Sequence, residues 1–284
     1  MHDLASVSIL LAISSTFAIG LGEFFAGGVT GRARTHEVTT TVFLAGFFCM
    51  AVTFVIWPGD PTRSDLVYGV FAGAANGLGI LLLYRSYAKA SLRSAAPAAA
   101  VVMSAVPIGW DVIVSGVSPT WITSVGLVLG VGAIGLSSLS PSDDPLDIGG
   151  LWMALLAGVV FGVLLVLLSF IGDGGGGSAL LLQRTVGLVL VVAVARATGP
   201  RVFPANRSDF RIAFLVGIFA AAAVLLFVLA LREGGNLAAI SVASSQYAAV
   251  AVLLGFAFKG QCMRWWQVVG LVGASLSVAL IALG

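Results

Sequence analysis

The chain has 284 residues, of which 59% are hydrophobic and only 9% charged, with a net charge of +2. A soluble domain carries roughly 25% charged residues, so 14 basic and 12 acidic side chains are too few to clothe a water-soluble globule of this length, and lipid is the solvent the composition asks for. A net charge this small gives no reason to expect a nucleic-acid partner.

A helix needs ~20 residues to cross ~30 Å of hydrocarbon. Apolar runs of that kind cover residues 4–29, 38–57, 66–84, 95–116, 120–139, 150–171, 179–197, 210–231, 237–258 and 265–283. The fold class this predicts is an all-α integral membrane protein with ten transmembrane helices. A β-barrel would alternate polar and apolar residues along its strands, and these runs are apolar all round. The opening MHDLASVSILLAISS has no Lys or Arg before its apolar run, unlike a signal peptide, so it is read as a retained first helix. The stripe Gly69, Gly73 and Gly77 in the third helix, and the pairs Gly126–Gly130 and Gly158–Gly162, have the spacing of close helix packing. Pro97 and Pro107 are expected to kink the fourth helix and free carbonyls toward a cavity. The connections are short, such as 58–65, 141–147 and 172–178, and Gly174–Gly177 reads as a flexible turn. Cys49 lies in an apolar run and Cys262 in a loop, with His2 at the chain end and His36 in a loop. They suggest neither a disulfide framework nor a metal site, and no cofactor is expected.

The chain repeats itself at an offset of 144 residues. Arg63-Ser64-Asp65 recurs as Arg207-Ser208-Asp209, Trp121 as Trp265, and Val125-Gly126-Leu127-Val128 as Val269-Gly270-Leu271-Val272. Gly73 corresponds to Gly217 and Phe17 to Phe161 in the same register. Two five-helix repeats follow, 1–140 and 145–284. An odd number of helices per repeat makes the second enter the membrane from the opposite side. Inverted repeats of this sort meet near the bilayer midplane and allow alternating access.

Eleven of the Lys and Arg side chains fall on the side of the first–second and alternate later connections, against Arg63 and Arg232 on the side of the termini. The positive-inside rule then puts both termini outside.

An ionisable group within a membrane helix costs ~2.5–3.5 kcal/mol on insertion scales and needs a reason to be there. Glu23, late in the first helix, reads either as a proton-coupling or substrate-amine carboxylate, or as a helix-end acid paired with Arg32, Arg34 or Arg85. Asp111 and Arg184 are expected to form a sheltered ion pair. Asn76, Gln246 and Tyr247 can hydrogen-bond a substrate or a neighbouring helix. Tyr84 and Trp110 fit either a pocket wall or interfacial anchoring.

Gly22-Glu23-Phe24-Phe25-Ala26-Gly27-Gly28, the Leu-Leu-Leu-Tyr-Arg segment at 81–85, and Gln183-Arg184 together resemble an EamA-type transporter of the drug/metabolite transporter superfamily, over nearly the whole chain. The Gly-Glu pair usual between the fourth and fifth helices of an EamA unit is replaced by Gly116-Val117 and Gly260-Gln261. The resemblance implies a secondary transporter exporting a small metabolite, amino acid or drug-like compound from the plasma or inner membrane. Its partners would be a small-molecule substrate, the bilayer, protons where coupling exists, and a second copy if it dimerises. It also implies cytoplasmic termini, opposite to the charge count. A scaffold or sensor that keeps the fold without transporting is the alternative. No nucleotide-binding, His-Glu-x-x-His or Gly-x-Ser-x-Gly motif is present, so an enzyme is not expected.

Overall fold

The computed structural model describes residues 2–114, 116, 120–138, 147–259 and 265–283. Helices α1 (His2–Val29), α2 (Thr35–Ile56), α3 (Arg63–Val114), α4 (Trp121–Ser138) and α5 (Ile148–Ser169) are followed by a short 3-10 turn, Asp173–Gly175. Then come α6 (Gly176–Thr198), α7 (Arg207–Arg232), α8 (Leu237–Ser245), α9 (Tyr247–Lys259) and α10 (Trp265–Leu283). Among the described residues there is no strand. Eight segments are long and apolar enough to cross a membrane, and the shorter α4 and α10 are apolar too. The molecule is a multi-pass, all-α membrane protein.

Several helices start at a side-chain N-cap, whereas α2 and α6 start at Arg34 and Gly175 without one. Thr62 and Asp65 form a capping box: the Thr62 amide donates to Asp65 Oδ2 at 2.8 Å and the Asp65 amide to Thr62 Oγ1 at 3.3 Å. Asp147, Asn206 and Asn236 accept amides from the first turns of α5, α7 and α8, satisfying donors that lipid cannot.

Two spans depart from expectation. The connection expected between the third and fourth helices is itself helical, so α3 carries both. Its residues 85–94, RSYAKASLRS, include no Gly or Pro to break a helix. The two legs nevertheless fold back on each other. Tyr68 and Trp110 both pack on Phe170, with ring centroids at 5.0 and 5.5 Å, whereas a straight helix would hold them about 63 Å apart. The reversal lies between the apolar legs 63–90 and 94–114. The span 237–258 is interrupted instead: the Gln246 amide bonds back to the Ala243 and Ser244 carbonyls, tightening the end of α8 before α9 begins. Ser245 Oγ also turns onto the Val242 carbonyl at 2.7 Å, the local competition by which serines disturb helices.

The glycine stripe does what its spacing predicts. Gly69, Gly73 and Gly77 lie against the backbone of Ala179, Gln183 and Gly187, joining α3 to α6. Gly158 and Gly162 seat α5 on the second leg of α3, beside Ala99, Val102 and Val106. α4 and α10 form a peripheral pair tied by Ser277 Oγ to the Gly126 carbonyl at 2.5 Å.

Gly174–Gly177, expected as a flexible turn, belongs to the 3-10 turn and the first residues of α6. The Gly177 amide donates to the Trp57 carbonyl at 2.8 Å and the Ser178 amide to that of Pro58 at 3.2 Å. Gly59 and Gly176 face each other with φ of 69° and 49°, in the left-handed region where a side chain would be strained. Glycine here serves close approach between two loops. His36, expected in a loop, lies buried in the first turn of α2. Cys262, Val117 and the Gly260-Gln261 pair lie outside the described residues.

Candidate functional site

α6 runs from one end of the bundle to the other, and each end is closed by an aspartate at a helix start. At the first end, Asp65 Oδ1 accepts the Gly172 amide at 2.7 Å. Beside it Arg232 donates to the carbonyls of Asp173 and Gly172 at 2.6 and 2.9 Å and lies 4.3 Å over the Trp57 ring. At the other end Asp209 pairs with Arg32 at 3.3 Å, beyond the point where Gly199 closes α6 against Arg34 and His36.

Between these two ends of the bundle lies a partly open cavity of about 90 Å³. Its walls come from α1, both legs of α3, α5, α6, α7 and the α8–α9 break. Its polar lining consists of Ser15, Glu23, Asn76, Arg184, Ser244 and Tyr247. The remaining wall is apolar, with Ile80, Leu83, Leu164, Phe161 and Phe227 prominent. The volume falls below the ~150 Å³ of a cavity that admits a benzene ring, and the space is partly open rather than sealed.

The polar groups are buried and only partly satisfied. Arg184 has no exposed surface. Its Nη2 donates to the Ala220 carbonyl at 2.7 Å and its guanidinium lies 5.3 Å from the Phe43 ring centroid. Its Nε and Nη1 have no hydrogen-bond partner. The same holds for Glu23 Oε2, Asn76 Nδ2 and Ser244 Oγ. Interiors rarely leave such groups without a partner, because each costs roughly 1–3 kcal/mol, more when charged. Around Glu23 stand three buried tyrosines, Tyr84, Tyr87 and Tyr247, each within its electrostatic reach. Tyr87 reaches toward the carboxylate, although its hydroxyl is not in good hydrogen-bond geometry. Tyr84 and Tyr87 stack at 5.9 Å. Tyr247 donates weakly, at 3.4 Å, to the Ala96 carbonyl, next to Pro97.

Of the residues singled out from sequence, the structure gathers Glu23, Asn76, Arg184 and Tyr247 around one cavity, with Tyr84 outside its lining but within electrostatic reach of Glu23, Arg184 and Tyr247. Asp111, Trp110 and Gln246 do not line it. The expected Asp111–Arg184 ion pair is not formed: the ion pair among the described residues is Arg32–Asp209. Arg184 instead turns toward α2 and α7, where a backbone carbonyl and an aromatic ring hold it. Trp110 packs edge-on against Phe170 at 5.5 Å, and Gln246 occupies the break between α8 and α9. The pairing of Glu23 with Arg32 also fails, since Arg32 is engaged by Asp209. Sequence reasoning missed Ser15, Tyr87 and Ser244. Tyr87 fell in a presumed loop, and the recurrence of Tyr84 at i+3 was the available signal.

No protein-family model and no curated protein matches the chain. A solved crystal structure, described only as that of a protein, is similar to it with a TM-score of 0.73 at 14% identity, over 96% of each chain. It is among 28 solved chains that match. At that identity the likeness speaks for the fold alone.

Proposed function

We propose that the chain is a secondary transporter of the EamA type, built as two inverted five-helix repeats and moving a small metabolite by alternating access, with export as the direction. The observation that carries this reading is the partly open cavity lined from both halves of the chain, with buried polar groups that lack partners. A solute that enters and leaves through alternate ends would meet those groups in turn. The repeat reading is supported by helix starts 144 residues apart: α3 at Arg63 and α7 at Arg207, α4 at Trp121 and α10 at Trp265. Counting α3 as two spans and α8–α9 as one gives ten. The closures correspond as well, because Asp65 meets the loop before α6 and Asp209 the loop before α2. Breaking the Asp65 and the Asp209 contacts alternately would expose the cavity to one side and then the other.

The test is uptake and efflux of a metabolite panel by the purified chain in proteoliposomes, with and without a pH gradient. Flux of at least one solute that saturates and exceeds empty vesicles is the expected result. Absence of flux across the panel would leave the scaffold or sensor reading in its place. Cysteine labelling of the two termini from either side decides between the outward orientation of the charge count and the inward one of the family pattern.

A further inference from the structure

We infer that the cavity binds a small monovalent inorganic anion of halide size, chloride in the first place, as the counter-ion of Arg184. The ion is a resident of the cavity and not a transported solute, so the inference stands apart from the transport reading.

The observation behind it is a buried cation without a carboxylate partner. Arg184 has no exposed surface, and a guanidinium stays charged in a protein. The ion pair among the described residues lies elsewhere, between Arg32 and Asp209. The titratable groups that act on Arg184 are Cys49 and Tyr84, a thiol and a phenol that in their ordinary states are neutral at neutral pH. Glu23 lines the same cavity, but it stands among Tyr84, Tyr87 and Tyr247 and is not within ion-pair distance of Arg184. A charge taken out of water is strongly unfavourable unless an opposite charge accompanies it.

The guanidinium is arranged to receive an ion at its edge. Its Nη2 donates to the Ala220 carbonyl at 2.7 Å. α2 covers one of its faces: a Cβ added at Gly46 would stand 3.2 Å from Nε and 3.3 Å from both Cδ and Cζ. Near-equal distances to three atoms mean contact with the flat of the group, whereas its hydrogen bonds leave in the plane. Nε and Nη1 have no partner, so one N–H on Nε and two on Nη1 are open. Two further donors without partners, Asn76 Nδ2 and the Ser244 hydroxyl, line the same cavity from α3 and α8. Water satisfies such donors without neutralising the charge; an anion does both.

The surroundings select the class of anion. Most of the wall is apolar, so a second negative charge, as on sulfate, would itself be left buried without compensation. A halide is little larger than a water, whose share of liquid volume is about 30 Å³, and it fits a cavity of about 90 Å³. It accepts hydrogen bonds from any direction, which suits donors arriving from three helices. Arg184 is charged whether or not a solute is bound, so its compensation has to come from an ion available in every state of the chain.

The experiment uses the purified full chain in nanodiscs, dialysed into sodium gluconate. Chloride, bromide, acetate or sulfate then replaces gluconate at constant ionic strength, and thermal unfolding is followed. An ion that binds the folded chain raises the melting temperature saturably, whereas screening follows ionic strength alone. Chloride and bromide are expected to give a saturable rise, with sulfate and acetate at least tenfold weaker. Arg184→Gln is expected to abolish the rise, and Arg184→Lys, which keeps the charge, to retain it with a midpoint within about tenfold. Arg211→Gln, at an exposed arginine of α7, is expected to leave it unchanged. Broadening of the chloride NMR line by the parent chain, reversed by bromide, reads the binding without any variant and stands even if Arg184→Gln folds poorly. Absence of a saturable chloride effect on the parent chain, an effect of acetate or sulfate equal to that of chloride, or persistence of the effect in Arg184→Gln overturns the inference. Saturable solute flux by a chain without a halide response would sink this inference and leave the transporter. A halide response that needs Arg184, without flux of any solute, would do the reverse.

Discussion

Gly73→Ala is the sharpest test of how the bundle is held together. Gly73 lies where α3 crosses α6, and an added Cβ would overlap the Gln183 carbonyl oxygen while standing 2.9 Å from Val186 Cβ and 3.1 Å from the Gln183 carbonyl carbon. Carbon–carbon contacts prefer about 3.5–4.0 Å, and a backbone carbonyl in a helix cannot rotate aside. The helices must separate by about 1 Å at Gln183, next to Arg184. Overpacking of this kind costs about 1–3 kcal/mol, offset by the roughly 0.5–1 kcal/mol that alanine gains over glycine within a helix. The sister substitution Gly109→Ala, in the second leg of the same helix, meets nothing within 4 Å and should keep the whole gain. The two variants should therefore differ by about 2 kcal/mol, with opposite signs relative to the parent. SDS-titrated unfolding of the purified chain in mixed micelles, followed by tryptophan fluorescence, reads this difference. Stabilities of the two variants within about 0.5 kcal/mol of each other would refute the packing argument.

Asp65→Asn leaves one oxygen where the carboxylate serves the Gly172 amide, the Thr62 amide and the Thr62 hydroxyl. It should cost about 1–3 kcal/mol and raise the labelling rate of a cysteine placed at Ser64, and an unchanged labelling rate would argue against Asp65 as a latch. Arg32→Gln breaks a pair whose arginine side chain is 59% exposed, so its cost should stay below about 1 kcal/mol; a loss as large as that of Asp65→Asn would contradict the inequality of the two ends. Ser277→Ala removes the bond to the Gly126 carbonyl and should lower stability by about 0.6 kcal/mol, the usual size for an interhelical bond in lipid, as read by the same unfolding titration. Asp111→Asn should not destabilise the chain, because Asp111 forms no ion pair with Arg184; a loss above about 1 kcal/mol would reveal a buried partner.

Much of the cavity was legible before any coordinates. Glu23, Asn76, Arg184 and Tyr247 stand out because lipid makes polar side chains expensive, so each one present in an apolar run announces a role. Their companions Ser15 and Ser244 do not stand out, since serine is cheap in a membrane helix and occurs throughout this chain. Asp111 and Arg184 illustrate the opposite failure. Both were rightly marked as unusual, yet similar depth in the membrane was taken for contact, and depth says nothing about which side of a helix a residue faces.

Composition and apolar run length determined by themselves that the chain is helical, that it crosses a membrane many times and roughly where its helices begin, because hydrocarbon thickness acts on each segment locally. The glycine spacing likewise announced close packing without naming the partner helix. Only the tertiary structure decided that the two legs of α3 fold back on each other between residues 90 and 94, that the span 237–258 breaks at Gln246, and that Arg184 faces α7 rather than Asp111. The reversal and the facing of Arg184 depend on which surfaces meet across the bundle, and surfaces tens of residues apart in the chain leave no local trace of the encounter.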